Sequence, residues 1–315
     1  MICYTSMEAI EETAPTVVTL GKFDGVHRGH QKLLAKMKEL SSRQSLRSVV
    51  FTFDVSPQVK LGTQAPRMLM TNKERREHLE ARGIDVLVEC PFTEAIRNME
   101  AEDFLDQILV GRLHAQAVVV GADFHFGKNR KGNPAFLKEW GERAGLKILI
   151  IPKEMDCTRE ISSTYIREEL IAGHMEKVQK LQGRPYSMTG EVVHGNNLGH
   201  TIGFPTLNQI PEEGKLLPPN GVYASRTLVR GSWYRSLSNL GCKPTVAGEM
   251  TGLETYLLDF EGDLYGETAT VELYSFRRPE QKFASLEKLK KQLAKDLEDV
   301  NRYFSSCDPQ GTGTP

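Results

Sequence analysis

The chain has 315 residues, which is more than one small domain usually needs and favours two domains. It carries 40 Lys and Arg against 41 Asp and Glu, so it lacks the basic excess typical of proteins whose main surface binds nucleic acid or anionic membranes. With 39% apolar residues and 27 glycines, the composition excludes a mainly disordered chain and is that of a folded globular protein.

The sequence gives no sign of membrane insertion or export. No uncharged apolar run approaches the roughly 18 residues that a membrane helix needs. Residues 1–12 have no basic flank and contain three acidic residues, unlike a signal or transit peptide. The five cysteines are far apart and form no C-x-x-C pair, which predicts reduced thiols in a cytoplasmic protein.

The first half alternates short β-branched runs with helical patterns. Strands are predicted at 16–20, 48–53, 85–90, 117–121 and 146–151, and helices at 30–40, 71–81, 101–113 and 134–144. Runs that are apolar on both faces are typical of strands buried in a parallel sheet. We therefore expect a doubly wound, Rossmann-like α/β domain over residues 1–182, with ligands at the carboxyl ends of its strands.

The second half has a different pattern. Strands are predicted at 186–194, 222–229, 233–240, 253–260 and 269–276, separated by glycine and proline turns without helices. This predicts an antiparallel β-barrel over residues 183–304, followed by a long amphipathic helix between Phe283 and Phe304. A helix packed on the barrel is favoured over a partner-binding helix. Residues 305–315 are polar and rich in glycine, and are expected to form a disordered tail.

The most informative segment is GKFDGVHRGH, residues 21–30, between the first predicted strand and helix. Gly21 and Gly25 allow the backbone to approach a ligand, and the helix N-terminus favours phosphate. His27 and His30 could donate to that phosphate and neutralise charge that develops during phosphoryl or nucleotidyl transfer. A zinc pair is a poor alternative because no further ligand has a recognisable spacing.

This decamer resembles the His-x-Gly-His signature of the nucleotidyltransferase superfamily. Members share a second motif, a Ser/Thr-rich turn, which ISSTYIR at 161–167 resembles. Hydroxyls and backbone N–H groups at a helix start, with Arg167 on the first turns, suit the β- and γ-phosphates. An ordinary capped helix is the alternative for this turn taken alone.

A third glycine-rich loop, GADFHFGKNRKGN at 121–133, is not a P-loop. It has five residues between its glycines instead of four, and Asn129 stands where Ser or Thr would hold magnesium. The chain also has no G-x-G-x-x-G dinucleotide motif. Phe124 and Phe126 could stack on a flat ring ligand, although a solvated basic loop is equally consistent with the residues.

The second domain carries an independent constellation. Four glycines lie within the strand–loop–strand segment 190–208, where free backbone N–H groups could cradle phosphates. Thr206 and Asn208 alternate onto one strand face, and their oxygens suit a magnesium–nucleotide complex. Glu254, on a later strand, is a candidate general base, although an exposed edge-strand glutamate is the simpler alternative for this residue alone.

Both halves together resemble the prokaryotic bifunctional riboflavin kinase / FAD synthetase (FMN adenylyltransferase) family. The resemblance covers roughly residues 15 to 304. The matching pieces, in order, are GKFDGVHRGH, GADFHFGKNRKGN, ISSTYIR, GEVVHGNN, GFPTLN, NGVYA, NLGCKPT, ETYLLDFEGDLYG and EQKFASLEKLKKQL.

The resemblance implies two reactions. The C-terminal domain would phosphorylate riboflavin with Mg²⁺–ATP, giving FMN, with Glu254 as catalytic base. The N-terminal domain would transfer AMP from ATP to FMN, giving FAD and pyrophosphate, with His27 and His30 as catalytic residues. Implied ATP and phosphate contacts are Gly21, Phe23, Asp24, Gly25, Ser163, Thr164, Arg167, Gly195, Gly199 and Thr206. Implied flavin contacts are Asp123, Phe124, Phe126 and Asn129, and implied metal ligands are Thr206 and Asn208.

The chain departs from the family pattern at several positions. Val55-Ser56 replaces a frequent Pro-His, and Tyr165 and His125 each replace a frequent arginine in the N-terminal half. In the C-terminal half His200 replaces arginine and Leu207 replaces alanine. Because most departures affect the N-terminal half, two alternatives stay open: a kinase with a catalytically weak or regulatory first domain, and a flavin- or nucleotide-binding regulator without turnover.

The expected partners are riboflavin, FMN and ATP, without nucleic acid or membrane. Magnesium is the expected ion, and manganese would fit the same ligands. We expect a monomer or weak homo-oligomer.

Overall fold

The computed structural model describes residues 1–54, 67–195, 203–245 and 248–307. The chain forms two compact units that divide between Ser163 and Thr164. This division precedes the boundary predicted after residue 182, because helix Met175–Gln182 buries Met175, Val178 and Leu181 and contacts strands of the second unit.

The first unit alternates strands and helices as predicted. Its strands are β1 Ile2–Tyr4, β2 Thr16–Leu20, β3 Arg47–Phe53, β4 Val86–Cys90, β5 Ala115–Gly121, β6 Lys147–Ile151, β7 Met155–Asp156 and β8 Arg159–Glu160. Its helices are α1 Arg28–Gln44, α2 Asn72–Glu80, α3 Glu94–Asn98, α4 Ala101–Asp103, which continues as a π-helix over Phe104–Val110, and α5 Pro134–Ala144. A single 3₁₀ turn covers Lys128–Arg130.

Six of these strands form one parallel sheet in the order β1-β4-β3-β2-β5-β6. The order reverses at β2: β3 follows it on one side, and β5 lies on the other. The connections after β2 and β5 therefore leave neighbouring strands in opposite directions. In doubly wound sheets this switch point is where ligands bind, beyond the carboxyl ends of the strands.

Apolar side chains cover both faces of the sheet, which explains the runs without alternation. On one face α1 buries Leu33, Leu34 and Met37 against the sheet. On the other the π-helix and α5 bury Leu109 and Trp140. The predicted doubly wound domain is thus confirmed.

The edge strands of the first unit differ from the prediction. Strand β1 was missed because it has only three residues and lies half-exposed at the sheet edge, so it carries no apolar run. Strand β6, predicted to be buried on both faces, is the opposite edge strand, and Ile150 is 38% exposed.

The second unit begins within α6, which spans Ser163–Ile171, and α7 Met175–Gln182 follows. An antiparallel sheet follows, made of β9 Tyr186–Glu191, β10 Thr206–Gln209, β11 Gly221–Val229, β12 Ser232–Thr245, β13 Gly248–Leu257 and β14 Thr268–Arg278. The strand order is β10-β13-β12-β11-β14-β9.

The two edges of this sheet meet, which confirms the predicted barrel. Val193, just beyond β9, pairs with Asn208 of β10, and Gln209 Nε2 donates to the Gly190 carbonyl over 2.8 Å. Leu207, Val229 and other apolar side chains are buried together. Buried hydroxyls also bond to one another across the strands; they belong to Ser225, Thr227, Ser236, Ser238 and Thr255.

The last helix, α8, spans Leu286–Cys307. It packs Val300 and Phe304 against Val222 and Leu237 of the barrel, as expected for a packing helix. It extends three residues into the segment predicted as a tail, and residues 308–315 lie outside the described residues.

Candidate functional sites

The loop after β2 follows an unusual backbone path. Phe23 and Val26 have positive φ angles of 48° and 38°, and Gly25 between them has 81°. A positive φ is costly for a bulky or β-branched residue and persists only where the surroundings fix it. Such strain is concentrated at functional sites, which agrees with the position of this loop at the switch point of the sheet.

The two histidines of this loop contact each other. The rings of His27 and His30 stack with centroids 3.7 Å apart, and His27 caps helix α1 by accepting a hydrogen bond from the His30 N–H at its Nδ1 (3.4 Å). A neutral imidazole that accepts at Nδ1 carries its proton on Nε2. A Cβ on Gly29 would lie 3.1 Å from the His27 ring, so any larger residue between the two histidines would crowd this ring.

Burial decides the charge of this pair. Desolvation lowers the pKa of His27 to about 4, although Asp123 opposes the shift. Desolvation and then the neighbouring His27 lower the pKa of His30 well below its ordinary value. Both rings are therefore neutral at pH 7, and each has one ring N–H with which it could donate to a phosphate, whereas the sequence suggested groups that neutralise charge.

Two residues of the loop that were predicted to contact phosphate, Phe23 and Asp24, make contacts within the protein. The Phe23 ring is fully buried in the core, so only its backbone could meet a ligand. Asp24 Oδ1 accepts from the backbone N–H groups of Leu69 (2.9 Å) and Met70 (3.2 Å), which ties the loop to the segment before α2. The sequence could not indicate this, because these partners are remote along the chain.

The Ser/Thr turn is divided between the units. Ser163 belongs to the first unit, where its hydroxyl donates to the Asp24 carbonyl over 2.8 Å. Thr164 is exposed and Arg167 is half-buried on α6 in the second unit. Tyr165, which stands where the family has arginine, is 7% exposed and lies beneath the Lys177 ammonium.

The loop after β5 presents stacked aromatic rings. Phe124 and Phe126 have centroids 5.4 Å apart at 15°, and Phe126 also contacts Phe104 of the π-helix. Gly132 allows this packing, since a Cβ there would lie 2.7 Å from the Phe126 ring. The rings therefore lean on the core and do not form a purely solvated loop.

Several polar residues of the same loop are exposed. Asp123 is exposed and pairs with Lys153 over 3.2 Å. His125, another departure from the family, is exposed with its Nδ1 2.8 Å from the Asp123 carbonyl. Asn129 is exposed and has a φ of 55°. Val55 and Ser56 lie outside the described residues.

In the second unit three strands place polar side chains in a row. Glu254 of β13 lies directly opposite Asn208 of β10 on one side and Asn239 of β12 on the other. Directly opposed residues share a sheet face, and Thr206 joins that face because it is two residues from Asn208. The alternation predicted for Thr206 and Asn208 is therefore observed, and Glu254 lies on the same face.

This row lies on the outer face of the barrel. Val222, which packs against α8, pairs with Asn239 and so shares the face of Glu254. Glu254 is half-buried and Asn208 is 7% exposed. A carboxylate in this position is accessible to a hydroxyl substrate and still held by the sheet.

The Gly195 backbone lies close against the Asn208 side chain. A Cβ on Gly195 would lie 2.3 Å from Asn208 Nδ2, and that amide donates to the Thr206 carbonyl over 3.4 Å. The glycine therefore allows the loop to cover the amide. Gly199 and His200 lie outside the described residues.

Asn239 is a neighbour of Glu254 that the sequence did not single out. Asn239 Nδ2 donates to Glu280 Oε1 over 3.2 Å. The alternation of the strand predicted at 233–240 could have placed Asn239 on this face, but the register between strands that brings it beside Glu254 is not visible in one sequence.

Comparison with known proteins matches both units. Residues 9–165 match the family model described as FAD synthetase, and residues 182–304 match the model described as riboflavin kinase. The bifunctional riboflavin kinase/FMN adenylyltransferase of Bacillus subtilis is 37% identical over 302 residues, covering 94% of this chain and 95% of that protein. The protein of the same description from Listeria monocytogenes is 34% identical over 295 residues, covering 93% of each chain.

A solved structure matches the whole fold. A crystal structure described as a macrolide-efflux protein from Streptococcus pneumoniae has a TM-score of 0.86 and 31% identity, over 95% of this chain and 98% of that one. Among the helices that the structure describes here, none is long and apolar enough to span a membrane.

Proposed function

Because this chain belongs to the family of bifunctional riboflavin kinase/FMN adenylyltransferases, we propose that it phosphorylates riboflavin to FMN with ATP and transfers AMP from a second ATP to FMN. The second reaction gives FAD and pyrophosphate. The observation that carries this proposal is the pairing of two separate constellations in one chain: the histidine loop at the switch point of a parallel sheet, and the Thr-Asn-Glu row on a barrel face.

AMP transfer uses the first constellation. A phosphate oxygen of FMN attacks the α-phosphorus of ATP, a new P–O bond forms, and the bond to the β-phosphate oxygen breaks. His27 and His30 donate hydrogen bonds to the oxygens on which negative charge grows, which favours the transition state over the bound substrates. The Gly21 and Gly25 backbone, with Phe23 through its backbone only, lines the phosphate path. Ser163 of the same unit borders it, where its hydroxyl donates to the Asp24 carbonyl.

The loop after β5 holds the flat rings of the substrates in this proposal. Phe124 and Phe126 offer a stacked aromatic surface whose inner ring rests on the core. Asp123 and Asn129 supply polar edges beside it. Positioning of this kind is a large part of catalysis when no covalent intermediate is formed.

Riboflavin phosphorylation uses the second constellation. Glu254 accepts the proton of the ribityl 5′-hydroxyl, whose oxygen attacks the γ-phosphorus of ATP, and ADP leaves. Gly195 brings a backbone N–H group to the ATP phosphates. Asn239 lies directly opposite Glu254 on the neighbouring strand.

The residues fit a hard cation. The Thr206 hydroxyl and the Asn208 amide oxygen are oxygen ligands on one face, of the type that Mg²⁺ binds together with substrate phosphates. When bound, Mg²⁺ would offset the negative charge of the transferring phosphoryl group.

We also propose a cytoplasmic enzyme that works as a monomer or weak homo-oligomer. In the described part of the chain Cys3, Cys90, Cys157 and Cys242 are free, which is typical of a reducing compartment. Sedimentation at micromolar concentration measures the assembly state.

Crossed variants test the assignment of residues to reactions. Glu254→Gln should stop FMN formation from riboflavin and leave FAD formation from supplied FMN unchanged. The double variant His27→Gln/His30→Gln should do the reverse. If either variant loses both activities to the same extent while it stays folded, the two sites are not independent and the assignment is wrong.

A further inference from the structure

A buried arginine outside both constellations joins the carboxyl ends of three parallel strands. Arg75 on α2 is 7% exposed. Its Nη1 donates to the carbonyl of Lys22, just after β2 (3.2 Å), and its Nη2 donates to the carbonyl of Phe53, at the end of β3 (3.0 Å). Nη2 also donates to Glu89 Oε1 on β4 over 2.5 Å. One guanidinium therefore links three of the six strands at the carboxyl end of the sheet.

The carbonyl that Arg75 holds lies at the strained part of the histidine loop. Lys22 immediately precedes Phe23, the first of the residues with positive φ. Its carbonyl accepts a second hydrogen bond from Thr52 Oγ1 over 3.3 Å. Backbone strain relaxes unless neighbouring groups fix it, so these donors contribute to the conformation that carries His27.

Glu89 holds the arginine in turn. Its side chain is 1% exposed and accepts from Arg75 through one oxygen and from Arg76 Nε through the other (2.8 Å). A buried ion pair of this kind often adds little net stability, because desolvation offsets the attraction. Its value can lie in fixing geometry, since the guanidinium fork is directional.

We propose that Arg75, oriented by Glu89, is a positioning residue for AMP transfer. It contacts no substrate and holds the 21–26 backbone in the conformation that places the stacked histidines and the phosphate-facing glycines. This inference rests on the proposed adenylyltransferase function of the first unit.

The test compares Arg75→Met, Arg75→Lys and Glu89→Gln with a matched control, Arg47→Met. Arg47 forms a similar ion pair with buried Glu12, with Nη1–O distances of 2.8 and 2.9 Å, but at the amino end of β3, away from the loop. Each full-length variant is assayed at 25 °C for FAD formation from FMN and FMN formation from riboflavin, and its melting temperature is measured.

The expected result is a fall of about tenfold or more in kcat/KM for FAD formation in Arg75→Met, with a raised KM for ATP, because small misplacements of a reacting group have large effects on rate. Arg75→Lys, which retains the charge but reaches fewer acceptors, should be intermediate, and Glu89→Gln should resemble it. FMN formation should stay within about twofold of wild type. Arg47→Met should lower the melting temperature without changing FAD kinetics.

Hydrogen–deuterium exchange gives a readout independent of turnover. Arg75→Lys should speed exchange in peptides covering residues 21–30 and leave those covering β5 unchanged. The positioning role would be overturned if the wild-type chain forms FAD, and Arg75→Lys and Arg75→Met form it with the same kinetics and exchange residues 21–30 at the same rate. A wild-type chain that makes no FAD would instead refute the adenylyltransferase function on which the role depends.

Discussion

At His27, burial sets the charge that the first site presents to a phosphate. The pKa of this imidazole falls to about 4, so the folded chain keeps it neutral at pH values where an exposed histidine becomes protonated. A neutral donor can bind the phosphates of ATP without the desolvation cost of a buried cation. The same loop has positive φ angles at Phe23 and Val26, and its His27 ring stacks on His30.

The lowered pKa predicts how stability depends on pH. Between pH 6.5 and 4 the unfolded chain protonates this imidazole and the folded chain does not, so stability is lost as the pH falls through that window, by up to about 3 kcal/mol. His27→Gln removes this contribution, and the exposed His125→Gln is the control. We expect the fall in melting temperature from pH 7 to 4.5 to be smaller for His27→Gln than for wild type. Equal falls in all three proteins would show that His27 does not titrate with a lowered pKa.

Gly195 offers a second test at the scale of one residue. Gly195→Ala would place a Cβ 2.3 Å from Asn208 Nδ2, and the buried amide or the loop must move. We expect a higher KM for ATP in FMN formation and unchanged FAD formation. The control is Gly190→Ala, whose Cβ would make an ordinary contact at 3.6 Å with Gln209 Nε2. A Gly195→Ala variant with wild-type kinase kinetics would contradict the role of this close approach.

Sequence predicts some of these residues better than others. The pairing of His27 with His30 follows from their spacing at a helix start. The core burial of Phe23 and the contacts of Asp24 depend on segments tens of residues away. Spacing alone does not identify such partners, and the Arg75 network was missed for the same reason.

At the scale of elements, periodicity predicted which side chains share a face. Strand alternation grouped Thr206 with Asn208, and the observed pairing then added Glu254 and Asn239. Ends of elements were less accurate, as for β12, which runs to Thr245 and not to Leu240. An edge strand such as β1 pairs with only one neighbour and is mostly exposed, so its residues show no apolar pattern from which it could be predicted.

Helix α8 is predicted to stabilise the barrel through its last turns. Phe304 is 1% exposed, contacts Tyr274 and lies beneath the Arg226 guanidinium, with 5.0 Å to its ring centre. Phe304→Ala should destabilise the second unit by about 3 to 5 kcal/mol, because it removes a buried ring and leaves a cavity. Calorimetry measures the transition of the second unit, and Leu286→Ala, at a 53% exposed position, is the control. Equal small effects of both changes would contradict a packed helix end.

At the scale of the whole molecule, the change from alternating to all-β patterns indicated two units. The observed division lies earlier, between Ser163 and Thr164, because α7 packs on strands of the second unit. Helical periodicity shows that such a helix has an apolar face but not which sheet covers it. The near-neutral charge of the chain suits small phosphate substrates that are met by local loops and side chains.

The central claim is that one chain carries out both reactions. Incubating the wild-type protein with riboflavin and Mg²⁺–ATP, and separating the flavins by chromatography over time, tests this claim most directly. The account predicts that FMN accumulates first and FAD follows, with one pyrophosphate released for each FAD. FMN that persists without FAD would contradict the bifunctional account and leave a kinase alone, and the absence of either product would contradict an enzyme.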